Sequence, residues 1–188
     1  SAASDVYKRQ RDEITLRNLM FTAQSHNGPF ALRYPRGKGK NPNWRVPMSL
    51  MEIGRGERLR EGKDVVVLSI GTMANKVATA IDKATAEGIS VAHYDMIFLK
   101  PLDDTILKEV AQLGLPVITV EDGIRNGGLG TAVTEWFSDH GYDMDVSRIG
   151  VPDRFVAHGK VPELMELCGM DEAAIYEAIS NASKKVKS

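Results

Sequence analysis

Short apolar runs alternate with amphipathic segments over most of these 188 residues, and this alternation constrains the fold more than any other feature. The clearest example is the β-branched run of residues 65–70, which stops at Gly71 and precedes a predicted helix over residues 74–87. Further strands are predicted over 89–95, 116–120 and 145–149, and further helices over 103–113 and 131–140. Strands that alternate with helices predict an α/β protein, here three α/β/α layers around a mostly parallel sheet of about five strands.

The first 50 residues show a different pattern. A helix is predicted over residues 12–26 and a strand over 30–34, and residues 36–47 are rich in Gly, Lys, Asn and Pro, as is typical of a linker. Residues 1–10 carry no coherent pattern and are expected to be flanking sequence. At the other end of the chain, Pro162 predicts the start of a short helix through Cys168, and Asp171 is expected to cap the last helix.

Charge and cysteine content exclude several classes of protein. The 24 Lys and Arg residues against 25 Asp and Glu leave a net charge of −1, which argues against a dedicated nucleic-acid binder. The apolar run at 65–70 is far shorter than the ~20 residues that a membrane helix needs, so we expect a cytoplasmic protein with no membrane partner. The lone Cys168 excludes an intramolecular disulfide, and we expect a buried, inert thiol.

Two segments are candidates for phosphate binding. Residues 121–130 are rich in glycine and follow a predicted strand, but their spacing fits neither a Walker loop nor G-x-G-x-x-G, so a tight turn is favoured over an anion site. Arg33-Tyr34-Pro35-Arg36-Gly37 carries two guanidinium groups beside a stiff turn, and an arginine fork binds phosphate with two hydrogen bonds. The alternative for that motif is a surface arginine beside a linker.

Other candidate groups point to no chemistry of their own. Glu121 and Asp122 are adjacent on a predicted strand, so their carboxylates are expected to point apart. The histidines lack the spacing of metal ligands, and those on a predicted strand and on an apolar helix face are expected to be buried and hydrogen-bonded: His93 and His140. We therefore expect no metal site.

Several motifs in order resemble the C-terminal part of the 1-deoxy-D-xylulose-5-phosphate synthase family, within the transketolase superfamily. They lie at residues 28–37, 53–56, 71–73, 99–103, 120–130 and 151–159. The resemblance divides the chain into a flanking segment at 1–10, the end of a central pyrimidine-binding domain at 11–37, a linker at 38–49 and a transketolase C-terminal-like domain at 50–188. It also implies one antiparallel strand, which we expect at residues 145–149.

The resemblance further implies an activity for a longer parent protein. A homodimeric parent would condense pyruvate with D-glyceraldehyde 3-phosphate, using thiamine diphosphate and Mg²⁺ held by domains that these residues do not match. Arg36 matches the position that binds the acceptor phosphate in this family. The fragment alone is expected to be inactive. The alternatives are the β subunit of a 2-oxo-acid dehydrogenase, or a non-catalytic assembly or binding module. An upstream Gly-Asp-Gly motif on the same chain would favour the synthase.

Overall fold

The computed structural model describes residues 6–35, 39 and 41–186. In that part of the chain the strands are β1 (Val6–Arg9), β2 (Phe30–Arg33), β3 (Glu57–Arg60), β4 (Val65–Ser69), β5 (Val91–Asp95), β6 (Phe98–Lys100), β7 (Val117–Ile124) and β8 (Val146–Val151). The helices are α1 (Glu13–Gln24), α2 (Met73–Ala86), α3 (Asp104–Leu113), α4 (Leu129–Asp139), α5 (Val161–Leu167) and α6 (Glu172–Val186).

The main sheet has five strands in the order β3-β5-β4-β7-β8. β4 pairs in parallel with both β5 and β7, and β8 pairs in parallel with β7. Helices connect these parallel strands, because a parallel pair needs a long crossover. The predicted α/β fold with a mostly parallel sheet of about five strands is therefore confirmed.

Helices cover both faces of this sheet. Val65 and Val67 of β4 face α2 and α6, whereas Val66 and Leu68 face α3 and α4. Side chains alternate between the two faces of a strand, so a strand covered on both sides is apolar throughout. This explains the uninterrupted run of residues 65–70, and it confirms the three layers.

The antiparallel strand is not where we expected it from the resemblance. We expected it at residues 145–149, but β8 there is parallel to β7, and the antiparallel strand is β3, which pairs with β5. β8 follows the α4 crossover, which returns the chain in the same direction. β3 was missed because its sequence, Glu-Arg-Leu-Arg, lacks an apolar run, and an edge strand needs none.

A second sheet joins the start of the chain to the main domain. Its strand order is β2-β1-β6, with β1 parallel to β2 and antiparallel to β6. A small cluster of buried side chains packs around it: Val6, Leu19, Ile97 and Phe98. β1 lies within residues 1–10, which show no pattern in the sequence. The strand forms because its backbone hydrogen-bonds to a strand on each side, and this pairing does not depend on its side chains.

The segment that resembles a linker lies along α1. Side chains at four positions on one face of α1 hydrogen-bond to the backbone of residues 41–51. The four are Glu13, Arg17, Asn18 and Thr22. The described part of this segment is thus docked on the N-terminal unit, which we define as α1 with β1 and β2, the strands that continue the second sheet from β6.

Candidate functional site

A polar cavity of about 240 Å³ lies where several strands end. Its walls come from the end of β1, from the turns after β2 and β4 and from β7, and the lining residues are Arg9, Gln10, Arg33, Tyr34, Pro35, Gly71, Thr72 and Asp122. Open α/β sheets place their ligands at the carboxyl ends of the strands. The cavity is therefore the candidate functional site.

The Arg-Tyr-Pro-Arg-Gly motif contributes its first three residues to this cavity. Arg33 and Tyr34 are exposed there, and Pro35 forms part of the wall. Arg36, the predicted phosphate ligand, lies outside the described residues. The phosphate-binding role of Arg36 stays a prediction. In the sequence, Arg36 directly follows Pro35, which forms part of the cavity wall.

The start of α2 forms another part of the cavity wall. Gly71 has a φ of +71°, which glycine adopts without strain, and Thr72 precedes the helix without capping it through its side chain. Sequence reasoning did not select Thr72 as a site residue. The signal was its position after a fully buried strand, where such folds place functional groups.

Glu121 and Asp122 point apart, as predicted from their adjacency. Asp122 lines the cavity and forms an ion pair with Arg9. Glu121 is only 3% exposed and instead accepts a hydrogen bond from the backbone N–H of Gly130, at 3.0 Å. The two carboxylates therefore make their contacts in different parts of the structure and do not share a proton.

Glu121 determines what the glycine-rich loop does. Its carboxylate lies at the N-terminus of α4, where Gly128 offers no side-chain cap, and so it neutralises the positive end of the helix. A Cβ on Gly128 would overlap the Glu121 carboxylate. The loop thus binds the protein's own anion, which supports the turn interpretation over a phosphate site. The preceding strand also runs to Ile124, four residues further than predicted.

Burial governs the ionisation of Glu121. Desolvation raises its pKa, while the N–H groups of Gly130 and Leu129 oppose the shift because they stabilise the carboxylate. No phosphate-like ligand is needed to account for the loop.

The two histidines singled out from the sequence have different environments. His93 is buried as predicted, with its Nε2 atom 2.8 Å from the Ser69 hydroxyl, and burial lowers its pKa to about 4. The burial predicted for His140 is wrong, because the residue is exposed at the end of α4 and stacks on Trp136 at 4.0 Å between ring centroids. Its ring is hydrogen-bonded as predicted, with Nδ1 2.8 Å from the carbonyl oxygen of Trp136. Within the described residues, no group of three His, Cys, Asp or Glu side chains could hold a metal ion.

Cys168 is half-buried at the end of α5 and packs against the core that α2 and α6 cover. The thiol is thus less buried than predicted.

Two of the motifs behind the resemblance meet in a structural contact. Asp103 caps α3 by accepting hydrogen bonds from the N–H groups of Thr105 and Ile106, at 2.8 and 3.1 Å. It also accepts one from the N–H of Gly56 at 2.9 Å and pairs with Arg55. The segments 53–56 and 99–103 are therefore joined through one buried carboxylate, which the sequence did not identify as important.

The last motif, residues 151–159, begins at the last residue of β8 and continues as a loop. Arg154 anchors it by donating to the carbonyl of Leu167 at 3.3 Å, while Phe155 is 95% exposed. His158 is also exposed.

The five-stranded, mostly parallel sheet with helices on both faces is an α/β fold that is also found in a solved transketolase structure. Residues 54–175 match the family model described as transketolase, C-terminal domain. The match covers more than half of the chain, and the chain belongs to this family.

Comparison with named enzymes makes the similarity more specific than the family model does. The chain is 52% identical over 169 residues to 1-deoxy-D-xylulose-5-phosphate synthase of Parabacteroides distasonis, which covers 89% of this chain and 27% of the relative. The same enzyme of Bacteroides fragilis is 49% identical, over 90% of this chain and 26% of the relative. The chain thus spans about a quarter of these relatives and corresponds to their C-terminal part.

Solved structures agree with the fold. A split-gene transketolase, described as an inactive β4 tetramer, superposes with a TM-score of 0.85 at 32% identity, over 96% of this chain and 58% of that one. A transketolase mutant from Pichia stipitis gives a TM-score of 0.66 at 16% identity, over 96% of this chain and 25% of that one, and supports the fold alone. None of the described helices is both long and apolar enough to span a membrane.

Proposed function

We propose that this chain is the C-terminal part of a 1-deoxy-D-xylulose-5-phosphate synthase. The parent would condense pyruvate with D-glyceraldehyde 3-phosphate, with loss of CO₂. The observation that carries the proposal is the identity of about half over nearly the whole chain to several enzymes of that name. We further infer that the parent is a cytoplasmic homodimer.

The proposed domain organisation follows the resemblance. Residues 11–37 would end the central domain, residues 38–49 would link it to the next domain, and residues 50–188 would form the C-terminal domain. Residues 1–10 would be foreign to both domains. Support for the last boundary comes from the family model, which matches residues 54–175.

Thiamine diphosphate and Mg²⁺ do not fit the described residues. Mg²⁺ prefers carboxylate oxygens, and the described part of the chain brings no three metal-binding side chains together. The N-terminus of α4 is neutralised by Glu121, so it is not available to a diphosphate. The rest of the parent protein would hold the cofactor and the metal.

Arg36 would be this chain's contribution to substrate binding. A triose phosphate carries two negative charges, and a guanidinium can meet it with a pair of charge-assisted hydrogen bonds. The described neighbours Arg33 and Pro35 lie at the cavity, and they support a binding role for the residue that follows them.

Steady-state kinetics of the full-length enzyme test this role. Arg36→Ala should weaken acceptor binding by about 2–3 kcal/mol, which appears mainly as a higher KM for glyceraldehyde 3-phosphate while that for pyruvate changes little. Arg36→Lys should recover only part of the loss, because a point charge does not replace the planar fork. Arg45→Ala, which removes an exposed arginine of the same segment, is the matched control. An unchanged KM for the phosphorylated acceptor would remove Arg36 from the site.

Calorimetry with thiamine diphosphate tests the division of labour. The 188-residue chain should show no tight binding, because the groups that hold the cofactor would lie in the other domains. Micromolar binding by this chain would contradict the proposal.

A further inference from the structure

Glu13, the first residue of α1, contacts the chain shortly after the Arg-Tyr-Pro-Arg-Gly motif. Its Oε2 atom accepts a hydrogen bond from the backbone N–H of Asn41 at 3.0 Å. Its Oε1 atom lies so close to Gly39 that a Cβ on that glycine would be 2.6 Å away from it. The carboxylate therefore lies against the backbone at both positions, and a side chain at position 39 would displace it.

A second side chain of α1 makes the same kind of contact further along the segment. Asn18 accepts a hydrogen bond from the backbone N–H of Ser49, also at 3.0 Å. The two contacts differ in their separation from Arg36 along the chain, because Asn41 follows Arg36 by five positions and Ser49 follows it by thirteen. The structure thus contains two comparable contacts, of which only the one made by Glu13 is close to the motif in sequence.

The support on which Glu13 is mounted is well defined. Asp12 caps α1 by accepting a hydrogen bond from a backbone N–H of its first turn, and Leu19 is fully buried in the apolar cluster of the second sheet. On the other side of Arg36, the chain leaves β2 and Pro35 forms part of the cavity wall. The short stretch that carries Arg36 therefore has a contact at each end, one at Pro35 and one at Glu13.

We propose that Glu13 is a positioning residue for the acceptor phosphate, acting through the backbone that follows Arg36. The inference rests on the proposed role of Arg36. A binding residue on a backbone that is held at both ends has lost part of its conformational freedom on folding, so less remains to be lost when the ligand binds. Glu13 does not touch the phosphate in this account, because its contacts are with the protein backbone.

Steady-state kinetics of the full-length enzyme test the positioning role with a matched pair of variants. Glu13→Ala should raise the KM for glyceraldehyde 3-phosphate by about threefold to tenfold, with little change in kcat or in the KM for pyruvate. Glu13→Gln keeps a side-chain oxygen that can accept from the N–H of Asn41, so its KM should stay within about twofold of the unsubstituted value. Asn18→Ala removes the contact at Ser49 and should leave both KM values unchanged.

A double substitution shows whether Glu13 acts through Arg36. In the Arg36→Ala background, Glu13→Ala should raise the KM for the phosphorylated acceptor no further, because the group that it positions is absent.

Hydrogen exchange of the 188-residue chain gives a readout that does not depend on activity. Glu13→Ala should speed exchange of the Asn41 amide by about tenfold and leave that of Ser49 unchanged, and Asn18→Ala should do the reverse. This result would show that each substitution releases only its own part of the segment.

Four kinetic outcomes would overturn the inference: an unchanged KM in Glu13→Ala, equal increases in Glu13→Ala and Asn18→Ala, an increase in Glu13→Gln as large as in Glu13→Ala, or an effect of Glu13→Ala that persists without Arg36. Exchange at Asn41 that does not respond to Glu13→Ala would do the same. A raised KM in Arg36→Ala with a normal KM in Glu13→Ala rejects the positioning role alone. An unchanged KM in both variants rejects the role of Arg36 as well.

Discussion

Two buried carboxylates of the main domain and one buried lysine of the N-terminal unit differ in whether hydrogen bonds stabilise their charge. In the main domain, the carboxylates of Asp103 and Glu121 are nearly fully buried, and each accepts hydrogen bonds from the N-terminus of a helix. In the N-terminal unit, Lys8 is fully buried with no hydrogen-bond partner among the described residues. A buried charge is tolerated only where the surrounding groups satisfy it.

The contrast separates a self-sufficient domain from an incomplete one. For Asp103 and Glu121, both the buried carboxylate and the groups that donate hydrogen bonds to it lie within residues 50–188. The N-terminal unit has a capped helix in α1 and a docked segment at 41–51, but its central strand does not match its surroundings. Good local structure in α1 thus coexists with poor packing around β1.

Two fully buried leucines should give the largest difference between the regions. Leu68 lies in the central strand of the main sheet, and Leu19 lies on α1. Leu68→Ala should lower the free energy of unfolding by about 3–5 kcal/mol, because it opens a cavity in the larger core. Leu19→Ala should mainly open the N-terminal unit and shift the main unfolding transition much less.

Hydrogen exchange reads the two regions separately. In the unsubstituted chain, amides of α1 and β2 should exchange faster than those of β4, since the N-terminal unit opens without unfolding the main domain. Equal protection of α1 and β4, or equal losses for the two leucine variants, would show that the chain unfolds as a single unit.

Two aspartates at helix N-termini, one in each region, differ in the number of groups that they bind. Asp103 serves α3 and also the segment 53–56, while Asp12 accepts from the N–H of Thr15 at 2.8 Å and serves α1. Asp103→Ala should cost about 2–3 kcal/mol of global stability, and Asp12→Ala about 1 kcal/mol, confined to α1. Chemical denaturation gives the first value, and exchange of α1 amides gives the second. Similar global losses for both variants would contradict the distinction.

The sequence predicted the helices and strands that carry a periodic apolar pattern. It missed the short strands that are held mainly by backbone pairing with their neighbours. Residues 65–70 and the helix at 74–87 carry their periodicity in the sequence, so β4 and α2 were found. β1, β3 and β6 are short strands of three or four residues with lysine or arginine in each, and their partners determine them. The antiparallel direction expected for residues 145–149 came from the resemblance, and the sequence of a single strand offered no check on it because strand direction depends on the partner.

For the candidate site, the sequence identified two of the segments that line the cavity, without their geometry. The strand-end rule and the motifs led to residues 33–35 and to Asp122, which the structure brings together at the cavity, and to Glu121, which lies at the start of α4 instead. The cap that Glu121 places on α4 could not be predicted, because it depends on a contact between residues nine positions apart. The burial of His140 was misjudged because a helical pattern does not show whether another element covers the end of the helix.

Glu121 provides a counterpart to Lys8, with the opposite sign. Glu121→Ala should destabilise the main domain by about 2 kcal/mol, since it leaves buried N–H groups at the start of α4 without an acceptor. Thermal unfolding measures the loss, and Glu135→Ala, on the exposed face of the same helix, is the control. If Glu121→Ala left the stability of the chain unchanged, the carboxylate would not be stabilising the start of α4.

The smallest expected effect is the pH dependence of the intact main domain between pH 4.5 and 6.5. His93 and Asp95 lie two residues apart on β5, and burial lowers the pKa of His93 to about 4 and raises that of Asp95 to about 7. Between pH 4 and 6.5 the unfolded chain binds more protons at His93, so that residue makes stability rise with pH. In the same range the folded chain binds more protons at Asp95, so that residue makes stability fall. The two trends should nearly cancel, leaving a change below about 1 kcal/mol.

Single substitutions should expose each trend. In Asp95→Asn, stability should rise with pH up to about 6.5, and in His93→Gln it should fall with pH up to about 7, as measured by urea unfolding at half-unit steps. The N-terminal unit titrates elsewhere: Lys8, with its pKa near 7, should make the stability of that unit rise from about pH 7 to pH 10. Flat profiles in both β5 variants would show that neither group is as strongly perturbed as its burial implies. A rise above pH 7 in the chain that persists in Lys8→Met would locate that titration in the main domain and remove the contrast between the two regions.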